Sequence, residues 1–132
     1  MAPTNIKKIA IVDDDRYVRE SIKDLLEFEG FASELYSSAE DFLSREGHLS
    51  VDCILADVRM TGMSGIDMLQ ILKQRENCPP ILIMTSYANA QLESSALRSG
   101  AAAFLGKPLD SEQLLTCLQS AVGGGSAEKP AN

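Results

Sequence analysis

Four short apolar runs, each ending on a polar residue suited to metal or phosphate chemistry, constrain the fold of this chain more than any other feature. The carboxyl ends of parallel strands lie along one edge of an open α/β sheet, where such sheets place their ligand sites. If the runs are parallel strands, carboxylates, a hydroxyl and a lysine converge at that edge. In chain order, the runs are residues 9–12 before Asp13, Asp14 and Asp15, residues 51–56 before Asp57, residues 81–84 before Thr85 and Ser86, and residues 102–106 before Lys107.

Between these runs, apolar residues recur at helical spacing, as Val18, Ile22 and Leu26 do. Short apolar runs that alternate with amphipathic helices are typical of βαβ units, and right-handed crossovers wind such units into a doubly wound sheet. We therefore predict an α/β fold of alternating strands and helices, with a five-stranded parallel sheet in the flavodoxin-like order 2-1-3-4-5. The strands are predicted over residues 7–12, 31–36, 51–56, 81–84 and 102–105.

Polar residues and glycines that flank the helical segments predict the ends of the helices. We expect Asp15 to cap the first helix and Gly30 to end it. The fourth helix, residues 88–99, has few apolar positions, so it should be the least firmly docked. The other predicted caps are Ser37 with Glu40, Ser64 with Asp67, and Asp110 with Gln113, and the other predicted helix ends are Gly47 and Gly100.

The composition limits the classes of function. A net charge of −7 repels a phosphate backbone, so we expect no direct binding of nucleic acid. No apolar stretch reaches the length of a bilayer span, residues 1–8 lack an apolar signal core, and the three cysteines lack metal-ligand spacing. We therefore expect a cytoplasmic protein that does not bind membranes, with one domain over residues 1–122 and a flexible glycine-rich linker or tail over residues 123–132.

The converging side chains predict magnesium-dependent phosphoryl chemistry. Carboxylates at close range raise one another's pKa unless a cation lies among them, and Mg²⁺ is a small, hard ion that prefers oxygen ligands. Lys107 supplies a second positive charge and Thr85 a neutral donor, which is what phosphoryl transfer needs. Asp57 stands alone before a glycine-containing loop and is predicted as the nucleophile, whereas the adjacent Asp13 and Asp14 are predicted to hold the metal.

Taken in order, these motifs resemble the receiver domain of bacterial two-component response regulators, most of all those joined to LuxR-type helix-turn-helix outputs. The resemblance spans residues 7–122. It implies a phosphorylation-dependent signalling switch, not a conventional enzyme, which catalyses its own phosphorylation and dephosphorylation and regulates an output such as transcription. The motifs that carry it are residues 11–15 (IVDDD), residues 57–65 (DVRMTGMSG), residues 84–86 (MTS), and Lys107 with Pro108.

The resemblance also implies roles and partners. A sensor histidine kinase would phosphorylate Asp57, and an output domain or partner protein would respond, with a homodimer expected on phosphorylation through the fourth helix, fifth strand and fifth helix. The bond from Lys107 to Pro108 is expected to be cis. The implied roles are Mg²⁺ binding by Asp13, Asp14, Asp57 and the Arg59 backbone carbonyl, phosphoryl binding by Thr85 and Lys107, and conformational switching by Phe104.

Thr61, Ser86 and Tyr87 are expected to border the site. Thr61 stands where the family usually has proline, Ser86 where a smaller residue is common, and Leu109 where phenylalanine usually follows Lys-Pro. Two interpretations stay open for several residues. Tyr87 and Arg59 either gate the access of water or are plain surface residues, and Phe104 is either a switch or simple core. We expect His48 to be an exposed loop residue with no phosphate chemistry.

Two other classes of function compete with the switch. A magnesium-dependent phosphatase or phosphotransferase would also use an aspartyl intermediate, but Arg59 stands where haloacid-dehalogenase-type phosphatases have a second acid, and no insertion builds a substrate pocket. An interaction module that merely retains the fold would not need the complete set of reacting residues. Turnover of a small phosphate ester would favour the first alternative, and absence of Mg²⁺ binding the second.

Overall fold

The apolar runs form five strands, which helices connect on both faces of one sheet, in a computed structural model that describes residues 6–123. Of the predicted linker, only Gly123 lies within the described residues. The strands are β1 (Lys8–Val12), β2 (Ala32–Tyr36), β3 (Cys53–Asp57), β4 (Ile81–Thr85) and β5 (Ala103–Gly106). The helices are α1 (Arg16–Phe28), α2 (Ala39–Ser44), α3 (Gly65–Leu72), α4 (Ala90–Arg98), α5 (Ser111–Val122) and a short 3-10 helix (Gly47–Leu49) between α2 and β3.

The strand order β2-β1-β3-β4-β5, with every pair parallel, confirms the predicted sheet. Adjacent strands are aligned so that their carboxyl ends are nearly level: Val12 of β1 pairs with Ala56 of β3, and Asp57 pairs with Met84 of β4. The chain order reverses between β1 and β3. That reversal opens the edge of the sheet at the point where Asp13 leaves β1 and Asp57 ends β3.

The core has one layer on each face of the sheet, because successive strand residues point to opposite sides. In β3, Ile54 and Ala56 pack with helices α2, α3 and α4, whereas Cys53 and Leu55 pack with α1 and α5. Burial raises the pKa of the Cys53 thiol to about 12, so this cysteine stays protonated and acts as a small apolar residue. Among the described residues, no helix has both the length and the apolar character to cross a bilayer.

The helix ends confirm several local predictions. Asp15 caps α1 by accepting hydrogen bonds from the amides of Tyr17 and Val18. Gly30 has φ +92° after α1, and Gly100 has φ +111° after α4, as expected of glycines that end helices. Ser64 caps α3 as predicted, through the Asp67 amide. Only Ala96 is buried in α4, in agreement with its sparse apolar face.

Two predicted helix ends are wrong, and a third lacks the capping hydrogen bond that was predicted. Ser38, not Ser37, caps α2 by accepting from the Asp41 amide, and the Glu40 carboxylate instead accepts a hydrogen bond from the amide of Met63 in a distant loop. Asp110 holds the N-cap position of α5 as predicted, but its side chain makes no capping hydrogen bond.

Gly47 does not end α2, because Glu46, with φ 53°, takes the left-handed position. Gly47 begins the short 3-10 helix, where a Cβ would lie 2.4 Å from a ring carbon of Phe42. This position therefore needs glycine for close packing, and a left-handed backbone is not the reason.

The expectation for His48 is also wrong, since the residue is buried at 5% exposure. The 3-10 helix turns the imidazole inward, and its Nδ1 has no hydrogen-bond partner among the described residues. Burial, together with the positive charge of Arg75, lowers the pKa of His48, against a smaller opposing effect of Glu46. The fold therefore favours the neutral imidazole.

This burial predicts a loss of stability in mild acid. Below about pH 6.5 the unfolded chain binds a proton that folded His48 resists, so the free energy of unfolding should fall as the pH drops from about 7.5 to 5.5. In His48→Gln this part of the fall should vanish, and urea unfolding of both proteins at the two pH values measures it. Equal losses in the two proteins would contradict the prediction.

Candidate functional site

Three carboxylates meet at the edge where the sheet reverses. Asp13 follows β1 directly, Asp57 is the last residue of β3, and Asp14 is next to Asp13 in the chain. Each offers a carboxylate oxygen, and these oxygens lie within 4.8 Å of one another. Asp13 and Asp57 are buried, whereas Asp14 is exposed, so the cluster has one side open to solvent. The structure thus brings together the acids that the sequence predicted.

Asp13 is held at fixed orientation by its surroundings. Its Oδ1 accepts a hydrogen bond of 2.8 Å from the amide of Asp15, and its backbone carbonyl accepts one of 2.7 Å from the Arg19 guanidinium. The Asp13 amide donates to the carbonyl of Tyr36 on β2 at 3.1 Å. Backbone and side chain are therefore both anchored, which is the preorganisation that a metal ligand needs.

Lys107 reaches the acids from the far edge of the sheet. Its amide donates to the Thr85 carbonyl at 2.8 Å, which extends the pairing of β5 with β4 and aims the side chain across β4. The Lys107 Nζ lies 2.8 Å from Asp13 Oδ2 and 3.1 Å from Asp57 Oδ1. One ammonium thus bridges both buried carboxylates. The Lys107–Pro108 peptide bond is cis, as expected.

For both Asp57 and Lys107, burial and the hydrogen bond between the two groups act on the pKa in opposite directions. Burial raises the pKa of Asp57, as do the neighbouring acids, and Lys107 counters part of that rise. For Lys107, burial acts to lower the pKa, but hydrogen bonds to Asp13 and Asp57 outweigh it and the pKa is raised. Lys107 therefore stays protonated and opposes part of the rise in the pKa of Asp57. The Asp57 side chain is only 7% exposed, and no hydrogen bond from the described residues engages its Oδ2.

The loop after β3 packs tightly against Asp57. A Cβ on Gly65 would lie 2.2 Å from the Asp57 carbonyl oxygen, so only glycine lets α3 begin there. Thr61 lies near the acids and donates two hydrogen bonds to Asp14. Arg59 instead points its guanidinium to the loop after β4, where it lies 4.3 Å from the centre of the Tyr87 ring.

Thr85 is fully buried at the end of β4, and its hydroxyl oxygen accepts a hydrogen bond from the Tyr87 amide at 3.1 Å. No hydrogen bond among residues 6–123 joins this hydroxyl to Asp57. Phe104 of β5 pairs with Ile83, and Gly106 pairs with Thr85, so Phe104 and Thr85 share one face of the sheet, two positions apart in the register. Phe104 is half-buried against the core layer of that face.

A groove of about 600 Å³ between α1 and α5 reaches the site from the side. It has a largely apolar lining that includes Tyr17, Ile22 and Leu114, and it ends at Lys107 and Ser86. Tyr17 is 86% exposed at the rim. Sequence reasoning did not find this groove, because it forms only when the first and last helices pack side by side.

Fold and site together define an α/β domain with an acidic, lysine-bridged centre at the sheet's switch point. The chain belongs to the response regulator receiver domain family, whose model matches residues 9–119. It is therefore a signalling domain and not a conventional enzyme.

Relatives of the chain agree with this membership. The chain is 38% identical to the transcriptional regulatory protein FixJ of Bradyrhizobium diazoefficiens over 86% of its own length and 56% of that relative. It is 33% identical to the transcriptional regulatory protein TdiR of Thauera aromatica over 89% of its length and 52% of that protein. The chain thus spans about half the length of the curated relatives it matches.

Solved structures agree on the fold. The crystal structure of FixJ-N matches with a TM-score of 0.81 and 26% identity, covering 97% of this chain and all of that one (100%). A CheY-like receiver domain protein from Methanospirillum hungatei matches with a TM-score of 0.82 and 28% identity, over 95% of this chain and 100% of that one.

The lysine bridge predicts a measurable change at Asp57. In Lys107→Gln the bridging charge is lost, so the pKa of Asp57 should rise further, because burial and the neighbouring acids then act without a counter-charge. A carbon-13 NMR titration of the Asp57 carboxyl carbon without divalent metal would measure it. Lys23→Gln, which removes the same charge from the outer face of α1, should leave the midpoint unchanged. Equal midpoints in all three proteins would contradict the prediction.

Proposed function

We propose that this domain is a phosphorylation-operated switch in which Asp57 accepts the phosphoryl group. The observation that carries the proposal is the position of the Lys107 ammonium, 2.8 Å from Asp13 and 3.1 Å from Asp57. A cation there offsets charge on the nucleophile and on a phosphoryl group attached to it. Asp57 keeps its Oδ2 free of hydrogen bonds from the described residues, and this oxygen is the one available for attack.

The donor set fits Mg²⁺. Three carboxylate oxygens within 4.8 Å of one another are hard ligands, and the exposed Asp14 leaves room for water and a phosphoryl oxygen. Asp13, Asp14, Asp57 and the Arg59 carbonyl would hold the ion. When bound, Mg²⁺ supplies charge neutralisation at the phosphoryl oxygens and orients the donor.

The protein's own residues then perform the transfer. The Asp57 carboxylate oxygen forms a bond to phosphorus as the bond from phosphorus to the donor's imidazole nitrogen breaks, and the electron pair returns to the imidazole. Lys107, already protonated, balances the charge that builds on the phosphoryl oxygens. Self-catalysed phosphorylation and dephosphorylation belong to the same proposal, with water as the acceptor in the second reaction.

Thr85 and Phe104 would transmit the change. The Thr85 oxygen already accepts one hydrogen bond, so its hydroxyl hydrogen is free to donate to a phosphoryl group on Asp57. Phe104 lies on the same face, two residues before Gly106 on β5, and Gly106, the partner of Thr85, adds no side chain beside it. A movement of Thr85 toward Asp57 would open space that Phe104 can enter, which would shift α4, the helix with only one buried residue.

The border residues would control the lifetime of the phosphorylated form. The Arg59 guanidinium stacks on the Tyr87 ring and so ties the loop after β3 to the loop after β4. This contact supports the gating interpretation over the plain surface one. Ser86 lies at the end of the groove beside Lys107, where its hydroxymethyl group would narrow the space for a phosphoryl group.

The partners follow from the same chemistry. A sensor histidine kinase in the cytoplasm would supply the phosphoryl group, and the exposed apolar groove beside Lys107 is the surface we propose for its approach. An output domain or partner protein, acting on transcription, would respond through α4, β5 and α5, with a homodimer as the phosphorylated form. The phosphatase alternative is disfavoured because the Arg59 side chain pairs with Tyr87 and cannot serve as a second acid.

Replacing the phosphoacceptor tests the proposal directly. Asp57→Asn should gain no phosphoryl mass when incubated with acetyl phosphate and Mg²⁺, because an amide oxygen is a poor nucleophile, and intact mass spectrometry would measure this. Asp52→Asn, one residue before the opposite end of the same strand, should be labelled as fully as the unaltered protein. Full labelling of the Asp57 variant would overturn the assignment.

Phe104→Ala separates phosphorylation from switching. We expect undiminished labelling by acetyl phosphate, because the Phe104 side chain supplies no reacting group, but a much smaller response of α4 amide resonances to phosphorylation. Since Phe104 is half-buried, the stability loss should be below the about 3–5 kcal/mol typical of a fully buried phenylalanine. Phe28→Ala, at an exposed aromatic residue of α1, should leave both properties intact. Lost labelling in Phe104→Ala would count against the switch role.

A further inference from the structure

Thr61 makes two hydrogen bonds to one oxygen of the exposed acid in the cluster. Its amide nitrogen lies 2.9 Å from Asp14 Oδ2, and its hydroxyl oxygen lies 3.2 Å from the same atom. These two bonds join segments 47 residues apart in the chain. No other hydrogen bond to the Asp14 carboxylate is present among the described residues. Thr61 is therefore what fixes the orientation of this carboxylate.

The orientation that Thr61 fixes is suited to binding a metal. Asp13 is anchored by the amide of Asp15 and by Lys107, but Asp14 is exposed and would otherwise rotate freely. With both bonds on Oδ2, the Oδ1 of Asp14 stays free, and the residue still offers an oxygen within 4.8 Å of those from Asp13 and Asp57. Holding a ligand in place before the ion arrives lowers the entropy cost of binding.

The loop has a second anchor besides Thr61. Two residues further on, the amide of Met63 donates to Glu40 Oε2 at 2.8 Å, and this contact ties the loop to α2. Gly62, with φ +88°, makes the turn between the two anchors. Glu40 is not one of the clustered acids. Loss of the Thr61 hydroxyl would thus leave Asp14 with one hydrogen bond instead of two, while the contact of Met63 with Glu40 keeps the loop in place.

We propose that Thr61 is a positioning residue for the metal site, which holds Asp14 in its ligating orientation and so raises the affinity for Mg²⁺. This inference rests on the proposed function, because it takes Mg²⁺ as the ion bound by the acids. Proline has neither an amide hydrogen nor a hydroxyl, so a proline at this position could make neither bond. The two hydrogen bonds from Thr61 to Asp14 would therefore be lost if proline stood at this position.

An NMR titration of the protein with MgCl₂ tests the proposal through the dissociation constant. Thr61→Val keeps the shape and the amide bond but loses the hydroxyl, and it should bind Mg²⁺ up to about tenfold more weakly. Thr61→Pro loses both donors and should bind more weakly still. Thr61→Ser keeps both donors and should stay within about twofold of the unaltered protein.

Two controls separate the possible failures. Glu40→Ala removes the other loop anchor and should leave the Mg²⁺ affinity within about twofold, since Asp14 keeps its partner. Asp13→Asn removes a ligand and should abolish saturable binding. If the unaltered protein does not bind Mg²⁺, or if Asp13→Asn binds equally well, the proposed metal site is wrong and the role of Thr61 falls with it.

A purely structural role for Thr61 gives a different result. If Mg²⁺ binds through Asp13 but Thr61→Val binds as tightly as the unaltered protein, the positioning role is overturned while the metal site stands. A lower thermal midpoint in EDTA with an unaltered dissociation constant would lead to the same conclusion. A weaker affinity at an equal midpoint in EDTA, restored in Thr61→Ser, would establish the positioning role.

Discussion

The site depends on one ammonium group placed between two buried carboxylates. Asp13 and Asp57 are almost fully removed from water, and two negative charges so placed repel each other with little screening by solvent. Lys107, at 2.8 Å and 3.1 Å from them, makes the ionised pair tolerable. The same charge would meet the oxygens of a phosphoryl group. The position of Lys107 thus serves both the stability of the buried acids and the proposed phosphoryl chemistry.

That contact is possible because of the sheet. Lys107 is 94 residues from Asp13 in the chain, and it reaches the acid only because β5, β4, β3 and β1 lie in this order with their carboxyl ends level. The surrounding loops complete the arrangement. Gly65 lets α3 begin against the Asp57 carbonyl, and Thr61 and Glu40 hold the loop between them. The order of the strands and the anchored loop together decide which side chains can share one ion.

Much of this could be predicted from the sequence because it depends on short-range pattern. Apolar runs such as residues 81–84 are typical of strands that are buried on both faces. These runs predict the bounds of the strands to within two residues. The meeting of Asp13, which follows β1, with Asp57, which ends β3, follows from the parallel topology alone. The predictions were wrong where contacts with residues distant in the chain replace the contacts that the local sequence suggests. Glu40 looks like the partner of a helix cap, but the Met63 amide takes it, and His48 looks like a loop residue, but the fold buries it.

The sequence alone determined the parallel sheet, its order and the identity of the converging acids, because these depend on periodicity and on which residues follow each strand. Only the tertiary structure decided that Thr61 holds Asp14, that Arg59 turns away to stack on Tyr87, and that a groove opens between α1 and α5. The physical reason is that these contacts join loops and helices distant in the chain. Their distances and angles are set by packing, which no local pattern encodes.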